Sequence, residues 1–97
     1  MRVTIRFFTM LREITGKKEQ TLTFQKEMSP TVNTALKKLS EEYGKSFTDY
    51  VYDSRTSEPK GFLQFLINGK SITSPKGLDT ALEDGDVLAI IPPVGGG

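Results

Sequence analysis

The sequence predicts an α+β fold: a mixed sheet of about five strands with one main helix lying across one face. Three observations predict it. At the start of the chain Val3, Ile5 and Phe7 alternate with Arg2, Thr4 and Arg6, the period of a half-buried strand. Val32, Ala35, Leu36, Leu39 and Tyr43 recur at helical spacing, with Lys37, Lys38, Glu41 and Glu42 mostly off that stripe. Asn68-Gly69, between the runs Phe62 to Ile67 and Lys70 to Ile72, is the strongest hairpin signal, because a type I′ turn needs positive φ at both central residues.

The remaining elements follow in order. Thr9 to Gly16 reads as a short helical turn, with Thr9 capping its start and Gly16 stopping it in a left-handed conformation. A second strand over roughly 19–25 puts Leu22 and Phe24 on one face. Ser29-Pro30-Thr31 starts the main helix, with Ser29 or Thr31 as its cap, and Gly44 ends it. The segment 45–61 is the least patterned; its Phe47, Tyr50, Val51 and Tyr52 are expected to pin a short helical turn to the body, with a polar loop from Asp53 to Gly61. Pro75-Lys76-Gly77 turns, Leu78 to Leu82 reads as a brief helical segment, and Asp84-Gly85 leads into a last strand, Asp86 to Ile91, which Pro92 ends. A hairpin, a crossover helix and further strands give the mixed sheet.

Composition narrows the function. The 97 residues suffice for one domain, and Leu, Ile, Val and Phe supply 26 of them, enough for one modest core. Thirteen basic and twelve acidic residues leave a formal charge of +1, which argues against nucleic acid or an anionic membrane as partner. With no Cys and no His, the chain lacks a thiol nucleophile, thiolate ligands for zinc and the usual proton shuttle at neutral pH, so it is a poor candidate for an enzyme acting alone. Met1-Arg2-Val3-Thr4-Ile5 opens directly as a strand, and the expected compartment is the cytoplasm.

Two regions stand out. If Val3, Ile5 and Phe7 face the helix, then Leu63, Phe65, Ile67, Leu88 and Ile90 do too. The opposite face carries Phe8, Phe62, Leu66, Val87, Ala89 and Ile91 beside Arg2, Arg6 and Gln64. So many apolar groups mark a contact surface, unless segment 45–61 folds over them or the last strand is slipped by one residue, which would exchange its faces. The second region is the ending, Pro92-Pro93-Val94-Gly95-Gly96-Gly97. Glycines without Cβ atoms slide through slots closed to other residues, and the prolines restrict the direction of exit. Three extended residues reach roughly 10 Å. The plain alternative is a frayed terminus.

Phe7 to Gly16, Thr31-Val32, Ile67-Asn68-Gly69-Lys70, Gly77 to Asp86 and Ile90 to Gly97, in this order and spacing, resemble the MoaD branch of the MoaD/ThiS sulfur carriers, whose type member is the small subunit of molybdopterin synthase. The resemblance runs nearly end to end and is weakest over 45–61. It implies a ubiquitin-like β-grasp body over 1–91 and a flexible tail over 92–97. It implies that an ATP-using adenylyltransferase, a MoeB-like relative of ubiquitin-activating enzymes, converts the Gly97 carboxylate to an acyl-adenylate, and that sulfur replaces the adenylate to give a thiocarboxylate. A MoaE-like large synthase subunit then receives the tail. By position, Gly96 and Gly97 match the diglycine and Gly95 a variable position beside it. Phe8, Arg12 and Ile91 match the partner-contact surface, and Leu66 and Ala89 share its face. No cofactor or metal is expected on this chain; ATP belongs to the activating partner.

Three rivals keep the same body. One is a modifier that joins its carboxylate to lysines of other proteins, one a sulfur carrier for thiamin or tRNA, and one a β-grasp domain that only binds. Pro92-Pro93-Val94 and Leu11-Arg12-Glu13 favour the molybdopterin type over the thiamin type.

Overall fold

The computed structural model describes residues 1–25, 28–72 and 76–93, Lys76 by its backbone alone. At the centre of its sheet the first and last strands run parallel: β1 (Arg2–Phe7) pairs with β5 (Val87–Ile91), Ile5 opposite Leu88 and Phe7 opposite Ile90. β2 (Glu19–Thr23) is antiparallel to β1 at one edge. β3 (Gln64–Ile67) is antiparallel to β5 on the other side, followed at the far edge by β4 (Lys70–Ile72). The order across the sheet is β2-β1-β5-β3-β4, the mixed five-stranded sheet the sequence predicts. Parallel neighbours need a long crossover, and the chain between β1 and β5 carries the helices that supply it.

The main helix α2 (Val32–Tyr43) buries Val32, Ala35, Leu36 and Leu39, the four residues at the start of the predicted stripe. Of the two candidate caps Thr31 is the one used: its side chain accepts from the Thr34 amide, and the Thr34 side chain accepts from the Thr31 amide. Gly44, at φ 74°, ends α2, and α3 (Lys45–Val51) begins at once, with Phe47 and Val51 fully buried. Phe47 and Tyr43 pack ring to ring, and Tyr43 meets Phe7 edge-on. Segment 45–51 therefore joins the core on the α2 side and does not fold over the opposite face.

Val3, Ile5, Phe7, Leu63, Phe65, Leu88 and Ile90 are buried in one cluster with α2 and α3, and Ile67 packs against it partly exposed. Arg6 and Gln64 are exposed, while Phe8, Leu66, Val87, Ala89 and Ile91 are only partly covered. The inferred register of β5 is thus the observed one. Asn68 and Gly69 have φ 51° and 84°, as the hairpin requires, and Asn68 also ties the turn to Asp86 and the Val87 amide.

Some local readings are corrected. β3 begins at Gln64 rather than Phe62, because the Leu63 amide is turned onto the Lys60 carbonyl. The helical segment expected over Leu78 to Leu82 is a 3₁₀ turn at Lys76–Asp79. It stops there because Thr80 gives its carbonyl to Val32 and Ala81 bridges to Thr31, contacts with α2 that no local pattern announces. Thr9 stands at the start of the helical turn but its side chain caps nothing.

The loop after α3 is closed by Asp53, whose carboxylate accepts from the Arg55 amide at 2.8 Å. That bond and the Arg55 side chain hold the Asp53 carboxyl below its usual pKa, whereas burial pushes the Tyr52 phenol up. The turn bond is present above the ordinary carboxylate value of about 4 and is lost as pH falls through the depressed one. The Arg55 amide resonance should therefore shift in an acid titration whose midpoint lies below about 4. Gly77 has a steric role: a Cβ there would stand 2.9 Å from Ile72 Cβ and 3.2 Å from its carbonyl carbon. Gly77→Ala is expected to cost about 1–3 kcal/mol in chemical denaturation, as overpacking against backbone does.

Candidate functional site

The candidate site lies on the helix-free face of the sheet where β1 and β5 end together. Cross-strand partners share a face, so one row runs Glu19, Arg6, Ala89, Leu66, Ser71 across all five strands. The next row toward the strand ends holds Ile91 opposite Gln64. Phe8 follows Phe7, the partner of Ile90, and so comes off β1 beside Ile91.

Phe8 has two guanidinium groups against its ring. The guanidinium carbon of Arg6, from β1, and that of Arg12, from the helical turn α1 (Met10–Thr15), each lie 5.4 Å from its ring centroid. Such stacking contributes about 0.5–1 kcal/mol at exposed sites. Arg12 is also oriented by its Nε, which donates to the Phe7 carbonyl at 2.9 Å. α1 is anchored by the fully buried Leu11 and closed by Gly16 at φ 74°, whose N–H reaches the Arg12 carbonyl at 2.8 Å. Between Phe8 and α1, Thr9 takes φ 47° and ψ −120°, a backbone conformation costly for a β-branched residue.

The structure thus brings Phe8, Arg12, Leu66, Ala89 and Ile91 onto one side of the molecule, at the end of the strand that leads to the tail. Gly95, Gly96 and Gly97 lie outside the described residues. Pro92 is buried and Pro93 exposed. Arg6, placed on this face by the sequence alternation, is the residue whose part in the site that reading missed. Its signal was its position two residues before Phe8 on one strand face.

The rest of the surface offers little chemistry. A groove of about 610 Å³ lined by Phe24, Met28, Lys37 and Lys38 runs along α2, away from this face. Among the described residues no three His, Cys, Asp or Glu side chains are grouped to hold a metal ion, and no helix is long and apolar enough to cross a membrane.

The fold and the one-sided apolar ridge define a ubiquitin-like β-grasp protein. Residues 5–97 match the model of the ThiS family. The chain is 33% identical over 97 residues, the whole of both chains, to small archaeal modifier protein 3 of Haloferax volcanii. The crystal structure of SAMP1 from Haloferax volcanii superposes with a TM-score of 0.84 at 26% identity, covering all of both chains. A chain of the Amycolatopsis orientalis BexX/CysO complex matches with a TM-score of 0.74 at 25% identity, over 98% of this chain and 99% of that one. This chain belongs to the ThiS family, a family of ubiquitin-like sulfur carriers and modifiers.

Adjacent phenylalanines on opposite faces should behave differently. Phe7→Ala, in the core, is expected to cost about 3–5 kcal/mol. Phe8→Ala loses mainly its two guanidinium contacts, about 1–2 kcal/mol. Parallel denaturant titrations of the two variants check the contrast.

Proposed function

We propose that this chain is a carrier whose Gly97 carboxylate is activated by an ATP-using, MoeB-like adenylyltransferase in the cytoplasm, and that residues 1–91 form the body that presents the tail 92–97. One observation carries the reading: the apolar ridge of Phe8, Ile91, Ala89 and Leu66 lies on the uncovered face, continuous with the strand that runs into the Gly-rich ending. An enzyme that grips this ridge receives the chain end with it.

The chemistry suits a body without Cys or His. The carboxylate attacks the α-phosphorus of ATP and pyrophosphate leaves, which converts an unreactive group into an acyl-adenylate. Hydrosulfide then displaces AMP and, losing its proton, leaves a thiocarboxylate, or a lysine amine displaces AMP from the activated carbonyl and forms an isopeptide bond. Partner residues supply the proton transfers and the oxyanion stabilisation.

Two acceptors have specific support. Lysines of target proteins are favoured by the full-length likeness to a protein named as a modifier. A pterin precursor in the molybdopterin pathway, bound by a MoaE-like large subunit, is favoured by Leu11-Arg12-Glu13 and the Pro92-Pro93-Val94 ending. Both fates pass through the same adenylate. Neither asks this chain to bind a cofactor of its own.

Intact mass spectrometry tests the reading after incubation with the adenylyltransferase of the same proteome, ATP and a sulfur donor. The expected product has one oxygen replaced by sulfur at Gly97, and lysine adducts in co-purified proteins assign the modifier fate. Deletion of Gly97 should abolish both products and leave the melting temperature unchanged. A Gly97-deleted chain that remained fully functional would show a module that only binds.

A further inference from the structure

The charged groups placed against Phe8 are Arg6 on β1 and Arg12 on α1; Glu19 faces Arg6 across the β1–β2 pairing, and Glu13 follows Arg12 on α1. Among the described residues neither arginine is in an ion pair; the pairs formed are Lys17–Glu42, Lys45–Asp49 and Arg55–Asp53. Glu19 is the register partner of Arg6, yet Arg6 turns its guanidinium to the Phe8 ring instead. Arg12 commits one N–H, at Nε, to the Phe7 carbonyl. A guanidinium has five N–H donors. Both side chains are exposed, and apart from Arg12 Nε their N–H groups have no hydrogen-bond partner among the described residues, beside one aromatic ring.

Two cations against one ring repel each other, and an anion that meets both offsets that repulsion. The Phe7 carbonyl holds Arg12 there through its Nε, and Thr9 links the two elements at φ 47°, so the arrangement is present in the isolated chain. The surroundings, Ile91, Ala89 and Leu66, are apolar and open, a surface suited to another protein's face. Once that face docks and excludes water, a carboxylate meeting the planar donors is held by charge-assisted bonds stronger than those at a solvated rim.

We propose that Arg6 is a specificity-determining residue for partner recognition: with Arg12 it makes a socket around Phe8 that receives one aspartate or glutamate side chain of the activating enzyme. This rests on the carrier reading above. It places charge complementarity at the centre of an otherwise apolar contact, although the chain as a whole is nearly neutral.

The test is the rate of pyrophosphate release by the purified adenylyltransferase of the same proteome, with ATP saturating and the full chain varied. Arg6→Gln should raise KM for the chain about tenfold at low salt, with kcat nearly unchanged, and make KM less sensitive to added NaCl than in the unaltered chain. Arg6→Lys, which keeps the charge but not the fork, should fall between the two. A thermal melt of each variant accompanies the kinetics. An unchanged KM and salt dependence in Arg6→Gln, or a rise in KM only in proportion to a lost melting temperature, overturns the proposal. The Gly97-deleted chain is the control: pyrophosphate release that persists with it refutes the carrier reading itself, whatever Arg6 does.

Discussion

The parallel pairing of β1 with β5 is the constraint on which the rest of the molecule depends. It joins the two ends of the chain at the middle of the sheet, Thr4 against Val87 and Phe7 against Ile90. Because side chains alternate along both strands, the same register that sends Val3, Ile5, Phe7, Leu88 and Ile90 inward sends Arg6, Ala89 and Ile91 outward. A slip of one residue would exchange these sets, burying arginine and exposing the core, so the pairing is held by the cost of both errors at once. Backbone contacts at its lower end reinforce it: Thr4 donates to the Asp86 carbonyl and Gly85 to that of Arg2.

One core in a chain of this length covers one side of one sheet. The buried side chains form a single cluster beneath α2 and α3, and Leu11 extends it to α1. Coverage stops there, because 97 residues leave little for a second layer. The partly exposed apolar ridge on the other face follows from that economy of size as much as from its proposed use. It becomes a candidate for recognition because the last strand carries the chain from its centre toward the Gly-rich end.

Around Phe8, packing and charge act together. Leu11 fixes α1 from inside, the Phe7 carbonyl fixes Arg12 from beneath, and the strained Thr9 joins the two elements. The aromatic ring gives each guanidinium an apolar surface to lie on, while its N–H groups, apart from Arg12 Nε on the Phe7 carbonyl, are left for another molecule. A surface made in this way is largely ordered in the isolated chain, which lowers the entropy lost when a partner docks.

Local sequence determined those features whose physics is local. The alternation at Val3, Ile5 and Phe7, the stripe from Val32 to Leu39, the Asn68-Gly69 turn and the stop at Gly16 each depend on periodicity or on a backbone conformation that one residue type favours. They named the sheet, its main helix and the face left bare. Tertiary structure decided the remainder. Thr80 and Ala81 end the 3₁₀ turn by bonding to the start of α2, Val51 and Lys60 bring the chain back for a late start to β3, and Thr9 is pulled out of the capping geometry its side chain could have adopted. Arg6 shows the division most clearly. Its place on the outer face was legible from its neighbours, but a choice between pairing with Glu19 and lying on Phe8 depends on distances across strands and from α1, which no one-dimensional pattern contains.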